Sequence, residues 1–89
     1  MNNFYYLAEF LGTVFFSFMA FFSLHNYLVI GLTLSFLILI NSKGAYNPGI
    51  AFMSYNTGKL SLMEFIIYVI LELLGFYTGY EIYKRFVSK

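Results

Sequence analysis

Residues 41–60 read Asn-Ser-Lys-Gly-Ala-Tyr-Asn-Pro-Gly-Ile-Ala-Phe-Met-Ser-Tyr-Asn-Thr-Gly-Lys-Leu, and their reading decides how the rest of the chain is arranged. The part from Asn41 to Pro48 reads as loop. Asn47 is a good N-cap, because its side-chain oxygen can accept from the first free N–H groups of a helix, and Pro48 suits the first helical position, where no N–H is needed. Gly49 to Tyr55 is apolar, and Asn56-Thr57-Gly58 ends it, with Gly58 available as a left-handed cap. A helix over 48–55 reaches roughly 12 Å, less than half of a hydrocarbon core about 30 Å thick. The pattern leaves two readings open: an interfacial or loop helix, and a re-entrant half-helix whose N-terminus lies at the bilayer midplane.

On either side lie longer apolar runs. Phe4 to Phe22 supplies 19 residues, a span of roughly 28 Å as a helix. No basic residue precedes this run and no small-x-small pattern follows it, so it does not read as a signal peptide. The interruption Ser23-Leu24-His25-Asn26 is short, and antiparallel neighbours are expected across it. A second span is expected over 25–41, short for a bilayer unless the membrane thins or the helix sits in an assembly. Ser61-Leu62-Met63-Glu64 is a capping-box signature, and it opens a third span over 61–83 that ends in Lys84, Arg85 and Lys89. The expected fold is an all-α membrane protein, one unit over 1–89, with three transmembrane helices and one re-entrant half-helix.

Composition supports lipid as the cover for these runs. The chain of 89 residues is 61% hydrophobic and 10% charged, whereas an ordinary globular chain is roughly 45–50% apolar and about 25% charged. A domain this small buries only about two thirds of its surface by folding in water. The same numbers exclude several classes. There is no cysteine for a disulfide or a thiolate metal site. A net charge of +1 is not the footprint of a nucleic-acid binder. With one His and no Asp, most hydrolytic and metal constellations cannot be assembled in a single copy; no nucleophile–base pair or metal set stands out, so no cofactor is expected and the chain is not expected to be an enzyme. His25 reads as a solvated turn residue.

Glu9 and Glu72 fall in mid-span, where a lipid-facing carboxylate costs several kcal/mol, so both are expected to face the bundle interior. Small residues at i, i+4 spacing mark close packing faces: Ala8 with Gly12, Gly31 with Ser35, and Gly75 with Gly79. Tyr5, Tyr6, Tyr55, Tyr80 and Tyr83 stand near span ends, as interfacial belt residues do. Lys43 and Lys59 fall on one side with the N-terminus, and Lys84, Arg85 and Lys89 on the other. This near balance leaves the positive-inside rule little to act on, as a dual-topology protein requires.

The ordered motifs resemble those of the aquaporins and glycerol facilitators, the major intrinsic proteins. Ala8-Glu9-Phe10-Leu11-Gly12-Thr13 resembles the family's opening motif. Ser42 to Gly49 aligns without a gap on its Ser-Gly-Ala-His-x-Asn-Pro-Ala box, Gly58 to Ser61 resembles the turn that follows, and Tyr68 to Gly75 resembles its third helix. The resemblance implies one half of a fold built from two inverted repeats. A single repeat cannot enclose a pore, so it implies pairing with an inverted second copy, or a higher homo-oligomer, in a lipid bilayer. The implied protein is a multi-pass integral membrane channel for water or a small neutral solute, with glycerol, ammonia and urea open.

In that setting two half-helices meet end to end, and their positive ends repel cations. Asn47 donates to a passing water and breaks the proton wire. The expected pore set is Asn47, Pro48 and Gly49, with the carbonyls of Lys43, Gly44, Ala45 and Tyr46 unpaired as an acceptor ladder, and Tyr27 as the constriction aromatic. Glu9 is implied as an orienter of the loop before the half-helix, with Glu72 in a matching role. The chain departs from the family where Lys43 replaces a glycine, Ala45 the box histidine and Gly49 the alanine. Ile50 stands where the second repeat carries the filter arginine. Two other functions remain: a non-channel membrane protein that modulates a partner, and a dual-topology proton-coupled exporter using Glu9 or Glu72.

Overall fold

The computed structural model describes residues 3–87, which form four helices: α1 (Asn3–Phe22), α2 (Tyr27–Ile40), α3 (Pro48–Asn56) and α4 (Leu62–Phe86). There is no strand among the described residues. Lys89, counted above among the terminal cations, lies outside them. α1 and α4 are long and apolar enough to cross a membrane by length and composition, and α2, at 14 residues, is shorter.

Local chemistry sets the helix ends. Asn26 caps α2, its Oδ1 accepting from the N–H of Leu28 at 3.0 Å and of Val29 at 3.1 Å. Ahead of it, Leu24 and His25 take the left-handed conformation, with φ of 57° and 62°, and so reverse the chain in four residues. Gly58, at φ 82°, ends α3, and the Lys59 N–H returns to the Ser54 carbonyl at 2.8 Å, a left-handed closure that favours glycine. Ser61 and Glu64 exchange side-chain and backbone bonds at 3.1 and 2.8 Å, so the capping box that opens α4 is complete.

α1 and α4 run parallel. Thr13 meets Gly75, Ser17 meets Gly79, and the rings of Tyr6 and Phe21 meet those of Tyr68 and Tyr83. The glycines make this approach possible. A Cβ on Gly75 would stand 2.8 Å from Thr13 Cβ, and one on Gly79 would stand 2.7 Å from Ser17 Cβ. The Ser17 hydroxyl crosses the seam to donate to the Phe76 carbonyl at 2.8 Å. Gly12 is also filled, though by the Tyr46 ring of a loop, and Gly31 has nothing within 4 Å of its missing Cβ. Of the expected packing glycines, Gly31 therefore joins no seam within this chain.

Because α1 and α4 are parallel and the chain returns along α1 through α2, α2 ends where α1 and α4 begin. Residues 41–61 must leave that end of the molecule and come back to it. The loop runs inward along α1 until Tyr46 lies against Gly12, near the middle of the helix, and α3 then leads outward to Gly58. α3 packs on α4 and α2 on α1. Among the described residues α2 and α3 do not pack on each other, and a furrow remains between them.

The interior mixes apolar and polar groups, with Phe16, Leu37, Ala45, Ala51 and Leu60 buried alongside four polar side chains, while many large apolar side chains face outward. The largest fully buried side chains are Tyr68, Glu9, Glu72, Thr13 and Ser17. Leu28, Leu32, Phe36 and Leu39 on α2 are each more than half exposed. The long axis of the molecule is 42 Å.

Candidate functional site

Glu9 lies on the inner stripe of α1, fully buried. Its Oε1 accepts from the Ala45 N–H at 3.0 Å and its Oε2 from the Tyr46 N–H at 2.6 Å. Such charge-assisted bonds are roughly twice as strong as neutral ones. They hold the loop at the depth where α3 starts.

Tyr46 is held there in an unfavourable conformation. Its φ is +61°, which for a bulky side chain costs about 1–2 kcal/mol. The Glu9 bond offsets this, as does the ring, which is wedged between Gly12 and Gly44 where neither could carry a side chain. Asn41 Nδ2 donates to the Tyr46 hydroxyl at 3.1 Å.

α3 begins at this point. Asn47 Oδ1 accepts from the N–H of Gly49 at 2.7 Å and of Ile50 at 3.3 Å, and Pro48 occupies the first turn. The Asn47 amide N–H groups donate to nothing among the described residues. The other glutamate, Glu72 on α4, is fully buried and faces both the Glu9 carboxyl and the Asn47 backbone N–H. Neither of its oxygens has a hydrogen-bond partner.

The structure brings Glu9, Glu72, Gly44, Ala45, Tyr46, Asn47 and Pro48 into one cluster. The carbonyls of Gly44, Ala45 and Tyr46 accept no hydrogen bond from the described residues. The Lys43 carbonyl differs from the expected ladder, because it accepts from the Tyr68 hydroxyl at 2.9 Å. Ala45 is also sealed, at 1% exposure, while Gly44 lines the furrow between α2 and α3 together with Ile50, Ser54 and Thr57. Gly49 is exposed beside it. Tyr27 stands at the opposite end of α2, roughly 20 Å along the helix from the loop, with its side chain exposed. Within one chain it constricts nothing.

Tyr68, Thr13 and Asn41 belong to the site without having been singled out for it. Their signal was present: Glu9, Thr13 and Ser17 recur every four residues, and Tyr68 precedes Glu72 by four, so each set shares a helix face. Among the described residues, no three His, Cys, Asp or Glu side chains stand together to hold a metal ion. No family model, curated protein or solved structure matches the chain.

Proposed function

We propose that the chain is one half of a membrane pore for water or a small neutral solute, completed by an inverted second copy. The observation that carries this reading is the placement of Asn47. It caps a nine-residue helix whose N-terminus lies beside the middle of α1, and its amide N–H groups are unspent. A helix this short reaches about 13 Å, so α3 enters the membrane from one face and stops near its centre. The many large apolar side chains left exposed, with Glu9, Glu72, Thr13 and Ser17 turned inward, support the bilayer setting. The open furrow between α2 and α3 is half of a lumen. Gly44, whose carbonyl accepts no hydrogen bond from the described residues, lines this furrow with Ser42, Ser54 and Thr57, and a free carbonyl at this depth calls for polar contents.

In the pair, two α3 N-termini approach at the midplane. Each carries about half a positive charge, which excludes cations. A water oxygen accepting from both copies of Asn47 turns its own hydrogens outward and interrupts proton transfer.

Stopped-flow light scattering on liposomes holding the purified protein tests this. Osmotic water flux or uptake of glycerol or urea should rise above that of empty vesicles, and Asn47→Asp should lower it. No gain for any of these solutes, in vesicles shown to contain folded protein, defeats the reading.

A second reading draws on Glu72. A buried carboxyl whose oxygens are unpartnered, facing another carboxyl, is also the arrangement of a proton-coupled exporter. Flux that requires a pH gradient would favour it.

A further inference from the structure

Two cavities meet at Ser42 and Lys43, and they differ in character. One is a furrow of about 590 Å³ between α1 and α2, with Leu11, Leu37 and Ile40 among its walls. The other is a pocket of about 280 Å³ lined by Ser42, Lys43, Ser54, Lys59 and Leu60. It lies at the end of the molecule where α1 and α4 begin. Among the described residues neither lysine makes an ion pair, and the hydroxyls of Ser42 and Ser54 make no hydrogen bond. The Lys43 ammonium stands 5.7 Å over the Tyr5 ring. No carboxylate lines either cavity.

We infer that these cavities form a binding site for one anionic phospholipid. The phosphate sits in the pocket between Lys43 and Lys59 and accepts from Ser42 and Ser54; an acyl chain lies in the furrow against Leu11, Leu37 and Ile40. Charge complementarity selects the headgroup: two ammonium groups with no ion-pair partner among the described residues, one of them resting over the Tyr5 ring, and two hydroxyl donors, with no carboxylate in the lining, suit a phosphate with net negative charge. Adjacency selects a lipid over a free oxyanion, since Ser42 and Lys43 line both the polar pocket and the apolar furrow beside it. The site rests on the membrane reading but not on the pore. A lipid held here would tie the loop that carries Asn47 to α1 and α2.

The test has two stages. Flotation of the full chain with neutral phosphatidylcholine liposomes comes first; a protein that does not float overturns the membrane reading and this site with it. Native mass spectrometry of the detergent-solubilised protein then compares equimolar phosphatidylglycerol and phosphatidylcholine. Phosphatidylglycerol should be retained preferentially. The preference should fall about fivefold in Lys43→Gln or Lys59→Gln and roughly twentyfold in the double variant. Arg85→Gln, at the other end of the molecule, should leave it unchanged. Circular dichroism checks that the variants keep their helices, which exposed lysines should allow. Equal retention of the two lipids, or a double variant that keeps the preference, overturns the site in a protein that does float. Displacement of phosphatidylglycerol by millimolar inorganic phosphate overturns the lipid assignment. Solute flux is not read, so the pore reading stands or falls separately.

Discussion

The Glu9 carboxylate accepts the Tyr46 backbone N–H at 2.6 Å across 37 positions of chain. With the Ala45 bond it satisfies two buried donors at once. Glu9→Ala would leave both unpaired, at a cost of about 2–5 kcal/mol. Glu9→Gln keeps one acceptor and turns a donor on the other N–H, and should cost roughly 1–3 kcal/mol. Thermal unfolding followed by circular dichroism in detergent ranks the three proteins. A Glu9→Ala protein as stable as the original would mean that the loop is held by other contacts.

The glycines of α4 should behave differently from that of α2. A Cβ on Gly79 meets Ser17 Cβ and the Val14 carbonyl, both at 2.7 Å, and that carbonyl is backbone and cannot swing aside. Gly79→Ala should therefore cost about 1–3 kcal/mol by forcing α1 and α4 apart. Gly31→Ala meets nothing within 4 Å and gains helix propensity of up to about 1 kcal/mol, so the isolated chain should hold or gain stability. The same unfolding measurement checks both.

Glu72 separates the two functional readings. Its oxygens have no partner, although the Glu9 carboxyl and the Asn47 N–H stand close by. Glu72→Gln places an amide there that donates to Glu9 and accepts from Asn47. Stability should change by no more than about 1 kcal/mol, and passive solute flux should persist in liposomes. A stable Glu72→Gln protein without flux would favour proton-coupled transport.

What could be read without the structure was local. Asn26, Asn47 with Pro48, Ser61 with Glu64, and Gly58 mark helix ends because each acts on N–H or carbonyl groups a few residues away. Four helices, two of them long and apolar, follow from those signals and from the apolar runs. The inward direction of Glu9 and Glu72 was equally legible, since a mid-helix carboxylate has few other places to go. Small residues were ambiguous: Gly31–Ser35 and Gly75–Gly79 have the same spacing, but only the second pair meets another helix in the chain.

The remaining features depend on contacts that no local pattern encodes. The parallel seam of α1 and α4, the Tyr68 hydroxyl on the Lys43 carbonyl, the left-handed Tyr46 ring against Gly12 and the isolation of Tyr27 join or separate residues far apart in the chain. By itself the sequence determined which segments are helical, where they stop and which polar side chains turn inward, because capping and apolar burial act over one or two turns. Only the tertiary structure decided that the loop before Pro48 is drawn to the middle of α1, because that depth is set by two hydrogen bonds and a ring packed into the gap left by two glycines.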